Sequence, residues 1–413
     1  MRTIASRGAH WLWSLLPLAA LACSGSASSR PEIAAVPSHP TTRPLGSETP
    51  VDPAPAAGTG GTAASTSEAD VSAREQDPSA GACPEGMVLV EGDYCTEVEQ
   101  TCLQEWYDKS NRKRVCEVFD PDVKCVGERI KKRYCIDRYS WPNRKGERPE
   151  VMNRWHQAQV KCAAIGKRMC TESEWTFACE GPSMKPFPYG YVRDPRKCNG
   201  DHPWDGPNMT KVAKRDAEEL GRLWQGVRSG SQPYCVSDFG VHDLPANNDE
   251  VVASEHYEEP GWRGKYDSIN TGGPWYKGVR NQCRPKIYTH EEGFYYYFLG
   301  FRCCAEPDGA ATEPRTPRQI KEKWDFARVE RLAGFTREEV REHLARKAKD
   351  GDCGCDELSG RRDVIRCKTL CGTLLGENAR DAQPAPVEGL PPFGATKKAS
   401  EADLQRALGA EKK

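Results

Sequence analysis

Residues 166–181 read GKRMCTESEWTFACEG, and this stretch predicts a capped helix packed on a core. Thr171 precedes the apolar positions, and Glu174 follows three residues later, which is the spacing of a capping box. Trp175 and Cys179 then lie four residues apart on one face of the helix. We therefore expect a short helix that begins after Thr171 and carries Trp175 into the interior.

Other strings recur around this helix in a recognisable order. They are GMVLVEG at 86–92, FGVHDLPANNDEVV at 239–252, GGPW at 272–275 and LGFRC at 299–303. With GKRMCTESEW, they resemble the hallmarks of the formylglycine-generating enzyme family, also called the sulfatase-modifying-factor family. The resemblance spans 83–304. It implies an α+β fold of the C-type lectin type with little regular secondary structure, here rich in disulfides.

The resemblance also implies a candidate catalytic residue, Cys283. Catalytic members of the family hold copper(I) with a C-x-x-x-x-C pair and oxidise a substrate cysteine to formylglycine. Cys283 matches the second cysteine of that pair, whereas Gly278 occupies the position of the first. Two thiolates suit the soft copper(I) ion, and one alone does not. We therefore expect no copper site, and we interpret Cys283 as one half of a disulfide.

Two alternatives stay open for the chemistry. One is a formylglycine-generating oxidase that builds its metal site from Cys283 and a cysteine distant in sequence. The other is a related non-haem iron enzyme, because some relatives of this fold use a histidine triad. The histidines of this chain form no H-x-x-x-H or H-x-E pair on an evident helix. Whether the chain is an enzyme is left open, and the non-catalytic interpretation is favoured.

A structural calcium ion is the cofactor that the resemblance implies. Its ligands would be Asn247 and Glu250, with a second site at Asn199 and the carbonyl group of Gly200. Calcium takes six to eight oxygen ligands from carboxylates, amides and carbonyl groups. The competing interpretation is that these side chains cap their own backbone in turns.

The first 82 residues predict export and a membrane anchor. Residues 1–22 combine basic residues with a short apolar run, as in a secretory signal peptide. The run ends in a sequence that resembles a bacterial lipobox, which makes Cys23 the predicted lipidation site. Residues 23–82 are rich in Ala, Ser, Thr, Pro and Gly and predict a disordered tether. We expect an exported lipoprotein of the cell envelope, in the outer membrane or periplasm.

Cysteines divide the rest of the chain. Fourteen cysteines lie in 83–304, and four lie further on. Five of the fourteen lie in 95–135, which predicts a disulfide-pinned hairpin or loop. Residues 305–318 predict a linker, 319–376 a small helical segment that contains the last four cysteines, and 377–413 a disordered tail. Which cysteines pair does not follow from the sequence.

These features favour a non-catalytic binding or scaffold protein of the bacterial cell envelope. Its partner would be an unknown protein, peptide or glycan, and the lipid anchor would hold it at a membrane. The aromatic run at 294–298 could line such a binding surface, although core packing is the commoner fate of large aromatic side chains. Nucleic acid is not an expected partner, because the formal net charge is only −1.

Overall fold

The computed structural model describes residues 81–108, 112–255, 266–276, 278–314, 316, 324–376, 378–383, 402 and 405–406. Within these residues the chain forms short strands and helices joined by long irregular segments. The strands are β1 Met87–Cys95, β2 Val98–Glu99, β3 Cys102–Asp108, β4 Lys113–Phe119, β5 Lys124–Cys125, β6 Arg129–Asp137, β7 Arg168–Met169, β8 Asp249–Ala253, β9 Ser268–Thr271, β10 Lys286–Ile287, β11 Leu299–Gly300 and β12 Cys303–Ala305. The helices are α1 Trp155–Ala164, α2 Glu172–Glu180, α3 Met209–Ala213, α4 Ala217–Leu223, α5 Phe326–Ala333, α6 Arg337–Asp350 and α7 Arg361–Cys371.

Two four-stranded sheets form the centre of the fold. The first has the order β1-β6-β12-β7, and β1 pairs with β6 antiparallel from Met87 opposite Asp137 to Cys95 opposite Arg129. The second has the order β10-β9-β8-β11, in which β11 pairs with β8 in parallel. The predicted α+β class is therefore confirmed, with strands that are mostly short.

The motif helix α2 forms as its sequence predicts. Thr171 is the N-cap, its hydroxyl accepts from the backbone N–H of Glu174, and the Glu174 carboxylate accepts from the backbone N–H of Thr171. Trp175 is 1% exposed and packs in a core with Val88 and Ile269. The local capping signal and the tertiary packing thus agree.

Helix α1 is buried on more than one face. It packs against the sheet core through Trp155 and Ala158, and against the C-terminal helices through Val160 and Ala164. The C-terminal side of this second contact consists of Val329, Ala333, Phe335, Val340 and Leu370. The helices that follow the predicted linker therefore share a hydrophobic core with α1.

Disulfides cross-link the strands, loops and helices between Cys83 and Cys371. The eighteen cysteines from Cys83 onward all lie in the described part of the chain and form nine disulfides. Cys102–Cys116 spans the β3–β4 hairpin, as the cysteines of 95–135 predict. Two others, Cys353–Cys371 and Cys355–Cys367, join α7 to the loop that precedes it. Among the described residues, no helix is long and apolar enough to cross a membrane.

Candidate functional site

Cys283 lies in the interior and is bonded to a cysteine of the motif helix. Its sulfur is joined to that of Cys179 at 2.02 Å, and the two side chains are almost fully buried. The interpretation that Cys283 belongs to a disulfide is confirmed. Because a disulfide sulfur is neither a thiolate nor a free thiol, Cys283 cannot bind a metal ion as a thiolate in this state.

The position of the family's first cysteine is filled by an ion-pair network. A Cβ atom added to Gly278 would collide with the Asp201 carboxylate and the Arg193 guanidinium. Arg193 pairs with Asp201 and also donates to Glu117 of β4 at 3.1 Å. Burial raises the pKa of Glu117, and the positive charge of Arg193 partly offsets that effect. The space that a side chain at position 278 would need is therefore occupied by salt-bridged side chains.

Glu250 is held by an arginine. Its carboxylate pairs with Arg302 of the LGFRC string at 2.7 Å, and both side chains are at most 1% exposed. It also accepts from the Trp175 indole N–H at 2.7 Å and from the Ser140 hydroxyl. A calcium ion at Glu250 would have to displace the guanidinium. The arrangement does not fit calcium binding at Glu250, since a cation already occupies the carboxylate.

The other predicted calcium ligands lie together, but their side chains are hydrogen-bonded within the fold. The carboxamide oxygen of Asn247 accepts from the backbone N–H of Val227 at 2.8 Å and from the Asn199 side chain at 3.1 Å. The carboxamide oxygen of Asn199 contacts a ring nitrogen of His202 at 2.7 Å. Gly200 lies close to the side chain of Asn281. A calcium site here stays a prediction.

The iron site and the copper site from distant cysteines, considered above as alternatives, would each need several metal-binding side chains in one place. In the described part of the chain, no group of three or more His, Cys, Asp or Glu side chains is placed to hold a metal ion. Cys23, the predicted lipidation site, lies outside the described residues.

The aromatic run at 294–298 divides between the core and the surface. Tyr297 and Phe298 are buried beside Trp275, whereas Phe294, Tyr295 and Tyr296 are partly exposed. Core packing is therefore confirmed for Tyr297 and Phe298, and a binding role for the other three residues stays a prediction. Tyr297 and Phe298 fix this segment in the core, and Phe294, Tyr295 and Tyr296 lie at its edge.

Two arginines pack on the Tyr295 ring. The guanidinium carbon of Arg215 lies 4.6 Å from the ring centroid, and that of Arg154 lies 5.2 Å from it. Burial lowers the pKa of Arg215 to about 10. The sequence identified Tyr295 only as part of the aromatic run. It did not identify Arg154 or Arg215, because no motif contains them and both lie far from Tyr295 in the chain.

Comparisons with known proteins identify a family and several similar proteins. The model of the family described as "Sulfatase-modifying factor enzyme 1-like domain" matches residues 95–307. The "Inactive C-alpha-formylglycine-generating enzyme 2" of Bos taurus is 34% identical over 113 residues, which are 27% of this chain and 35% of that protein. The Mus musculus protein of the same name is 32% identical over 113 residues, 27% of this chain and 34% of that protein. The match thus spans about a third of the length of these relatives.

Solved structures of similar proteins include two that the chain covers almost completely. CarF is 13% identical, with a TM-score of 0.33, over 54% of this chain and 98% of that chain. PvdO from Pseudomonas aeruginosa is 18% identical, with a TM-score of 0.31, over 53% of this chain and 94% of that chain.

Proposed function

The chain belongs to the sulfatase-modifying factor enzyme 1-like domain family, and we propose that it is a non-catalytic binding or scaffold protein of the bacterial cell envelope. The observation that carries this proposal is the Cys179–Cys283 disulfide. Copper(I) chemistry of the family type requires two thiolates at one site. Here one sulfur is oxidised, and the other position is a glycine enclosed by Arg193 and Asp201.

A relative supports the same interpretation. The Bos taurus protein that matches over 113 residues is named an inactive formylglycine-generating enzyme. Because the match spans only about a third of that protein, its lack of activity is transferred to this chain only as part of the proposal.

The disulfides support the proposed location outside the cytosol. Nine disulfides are typical of proteins outside the reducing cytosol. We propose that Cys23 is lipidated and that residues 23–82 separate the folded part from the membrane. Replacing Cys23 with Ser would then release the protein from the membrane fraction into the soluble fraction.

The decisive experiment is an oxidation assay. The purified protein is mixed with copper(I), oxygen and a cysteine-containing peptide, and formylglycine is measured by mass spectrometry beside an active family member as positive control. We expect no conversion by the wild type and no change on Cys283→Ser. Conversion by the wild type that disappears in Cys283→Ser would refute the proposal.

A thiol titration supplies an independent check. We expect no reactive thiol between residues 83 and 371 when the oxidised protein is unfolded in denaturant, because all eighteen cysteines there form disulfides. Detection of a free thiol that peptide mapping assigns to Cys283 would contradict the structural basis of the proposal.

A further inference from the structure

Two arginines and a tyrosine, all partly exposed, pack together at a place that the proposed function does not involve. We call Arg154, Arg215 and Tyr295 the arginine–tyrosine site. Arg154 directly precedes α1, Arg215 lies between α3 and α4, and Tyr295 lies before β11. Both guanidinium carbons lie within 5.2 Å of the centroid of one ring. This distance is typical of cation–π contacts.

In the described part of the chain, neither arginine of this site forms an ion pair with a carboxylate. The nearest acidic influence on Arg215 is the charge of Glu150, whose carboxylate pairs with Lys161. The Arg215 guanidinium donates instead to the backbone carbonyl of Met152 at 2.6 Å. The Nε atom of Arg154 is buried and has no hydrogen-bond acceptor among these residues. A partly buried guanidinium that has no paired anion loses hydration and gains little in return.

The neighbouring backbone adds to this positive potential. Helix α1 begins at Trp155, one residue after Arg154, and has no acidic residue in its first turn. The N-terminal end of a helix carries a partial positive charge. The environment of the arginine–tyrosine site therefore favours a negatively charged group.

The residues on either side of Tyr295 in the chain, Phe294 and Tyr296, are also aromatic and partly exposed. The Tyr296 hydroxyl contacts the sulfur of Met209 at 3.3 Å, and Met209 is 54% exposed. The Phe294 ring stacks on His290 with centroids 3.9 Å apart. Arginine, tyrosine, phenylalanine and methionine are the residues that protein–protein interfaces enrich. This composition favours a polypeptide over a free inorganic anion.

We propose that the arginine–tyrosine site binds an acidic peptide segment of a partner protein. A carboxylate of the partner accepts hydrogen bonds from Arg154 and Arg215, and apolar groups beside it pack against Tyr295 and Met209. Planar guanidinium groups suit this task because they can donate two parallel hydrogen bonds to one carboxylate. The inference rests on the proposed binding function and names the class of its ligand.

The test uses the full chain and a fluorescein-labelled hexaglutamate peptide, with binding measured by fluorescence anisotropy at about 50 mM salt. We expect a Kd of about 100 µM or tighter. The double variant Arg154→Gln/Arg215→Gln is expected to weaken binding at least about tenfold, because each lost charge-assisted hydrogen bond contributes strongly.

A matched control removes the same charge elsewhere. Arg331→Gln/Arg346→Gln alters two exposed arginines of the C-terminal helices, 69% and 50% exposed at their side chains. We expect this variant to bind hexaglutamate within about twofold of the wild type. Equal losses in both double variants, or no binding by the wild type, would overturn the proposal.

A second variant protects the test against loss of folding. Arg154→Lys/Arg215→Lys keeps both charges but removes the planar donors, so binding should weaken several-fold while the circular dichroism spectrum is unchanged. Wild-type affinity in this variant would contradict the proposed geometry.

A galacturonate oligomer that binds through the same arginines more tightly than hexaglutamate would show that the ligand is an anionic glycan and not a peptide. None of these results depends on the oxidation assay, so the two proposals can fail separately.

Discussion

Burial changes the protonation of Asp243. It lies in the FGVHDLPANNDEVV string and is 2% exposed. Burial raises the pKa of its carboxyl group to about 7, although the backbone N–H of Gly230 donates to one oxygen and Arg302 lies nearby. Its other oxygen has no partner among the described residues. The folded protein therefore keeps a proton on Asp243 at pH values where the unfolded chain has released it.

This proton makes stability depend on pH in a defined direction. Between about pH 4 and pH 7 the folded state binds more protons at Asp243 than the unfolded state, so the contribution of this group is lost as the pH rises. The slope is at most about 1.4 kcal/mol per pH unit. We expect Asp243→Asn to flatten the decline in Tm between pH 4 and pH 7, measured by differential scanning calorimetry. An unchanged slope would show that Asp243 does not hold this proton.

Individual residues differ in how far their surroundings could be predicted. The C-x-x-x-x-C comparison was sufficient to identify Gly278 as a missing cysteine, because it depends only on spacing. The Arg193 and Asp201 side chains that fill this position lie about eighty residues earlier, and no local pattern connects them. Arg302 likewise pairs with Glu250 across 52 residues. The assignment of Glu250 to calcium could not take that pairing into account.

At the level of elements, helix starts were the most predictable feature. Thr171 forms the capping box that its T-x-x-E spacing predicts. Thr336 has the same spacing to Glu339 and forms a second capping box at the start of α6. Such caps involve residues three positions apart, so their geometry is determined locally. Burial was less predictable. Helix α1 has a low share of large apolar residues, yet nearly all of it is buried, because the C-terminal helices cover the side that faces away from the sheets.

A buried lysine links α1 to the C-terminal helices. Lys161 is 0% exposed, pairs with Glu150, and donates to the backbone carbonyl of Thr369 in α7 at 2.6 Å. Burial lowers the pKa of Lys161. The charge of Glu150 opposes that effect and holds the ammonium group between two elements that are 208 residues apart in the chain.

Replacing this lysine should destabilise the protein strongly. Lys161→Met leaves the Glu150 carboxylate buried without its cation, which costs about 3–5 kcal/mol. The double variant Lys161→Met/Glu150→Gln removes both charges and is expected to recover part of this loss. Urea unfolding of the wild type, both single variants and the double variant measures the coupling. Additive losses in this cycle would show that the two side chains do not interact.

For the whole molecule, the C-terminal helices complete the core. Val329, Phe335 and Val340 cover Val160 and Ala164 of α1. The sequence predicted helices in this region but treated them as a segment beyond a linker. Helical periodicity indicates that an apolar face exists, but it does not identify the surface that the face will cover.

Truncation tests this role. Removing residues 324–413 exposes the outer face of α1, and we expect aggregation or a loss of cooperative unfolding in size-exclusion chromatography and calorimetry. As a control, removal of residues 384–413 keeps α5, α6 and α7 and loses the exposed pair of Arg406 with Asp120, which contributes at most about 1 kcal/mol. A soluble, cooperatively folding product of the long truncation would show that the rest of the protein folds without these helices.

The sequence by itself determined the family, the α+β class, the capped helices and the incomplete cysteine pair, because each depends on residue types at short spacings. The tertiary structure decided which cysteines pair, what fills the place of the missing one and which residues cover α1. It also brought Arg154 and Arg215 onto Tyr295. These contacts join residues that are distant in sequence, and their partners are selected by packing and charge in the folded chain.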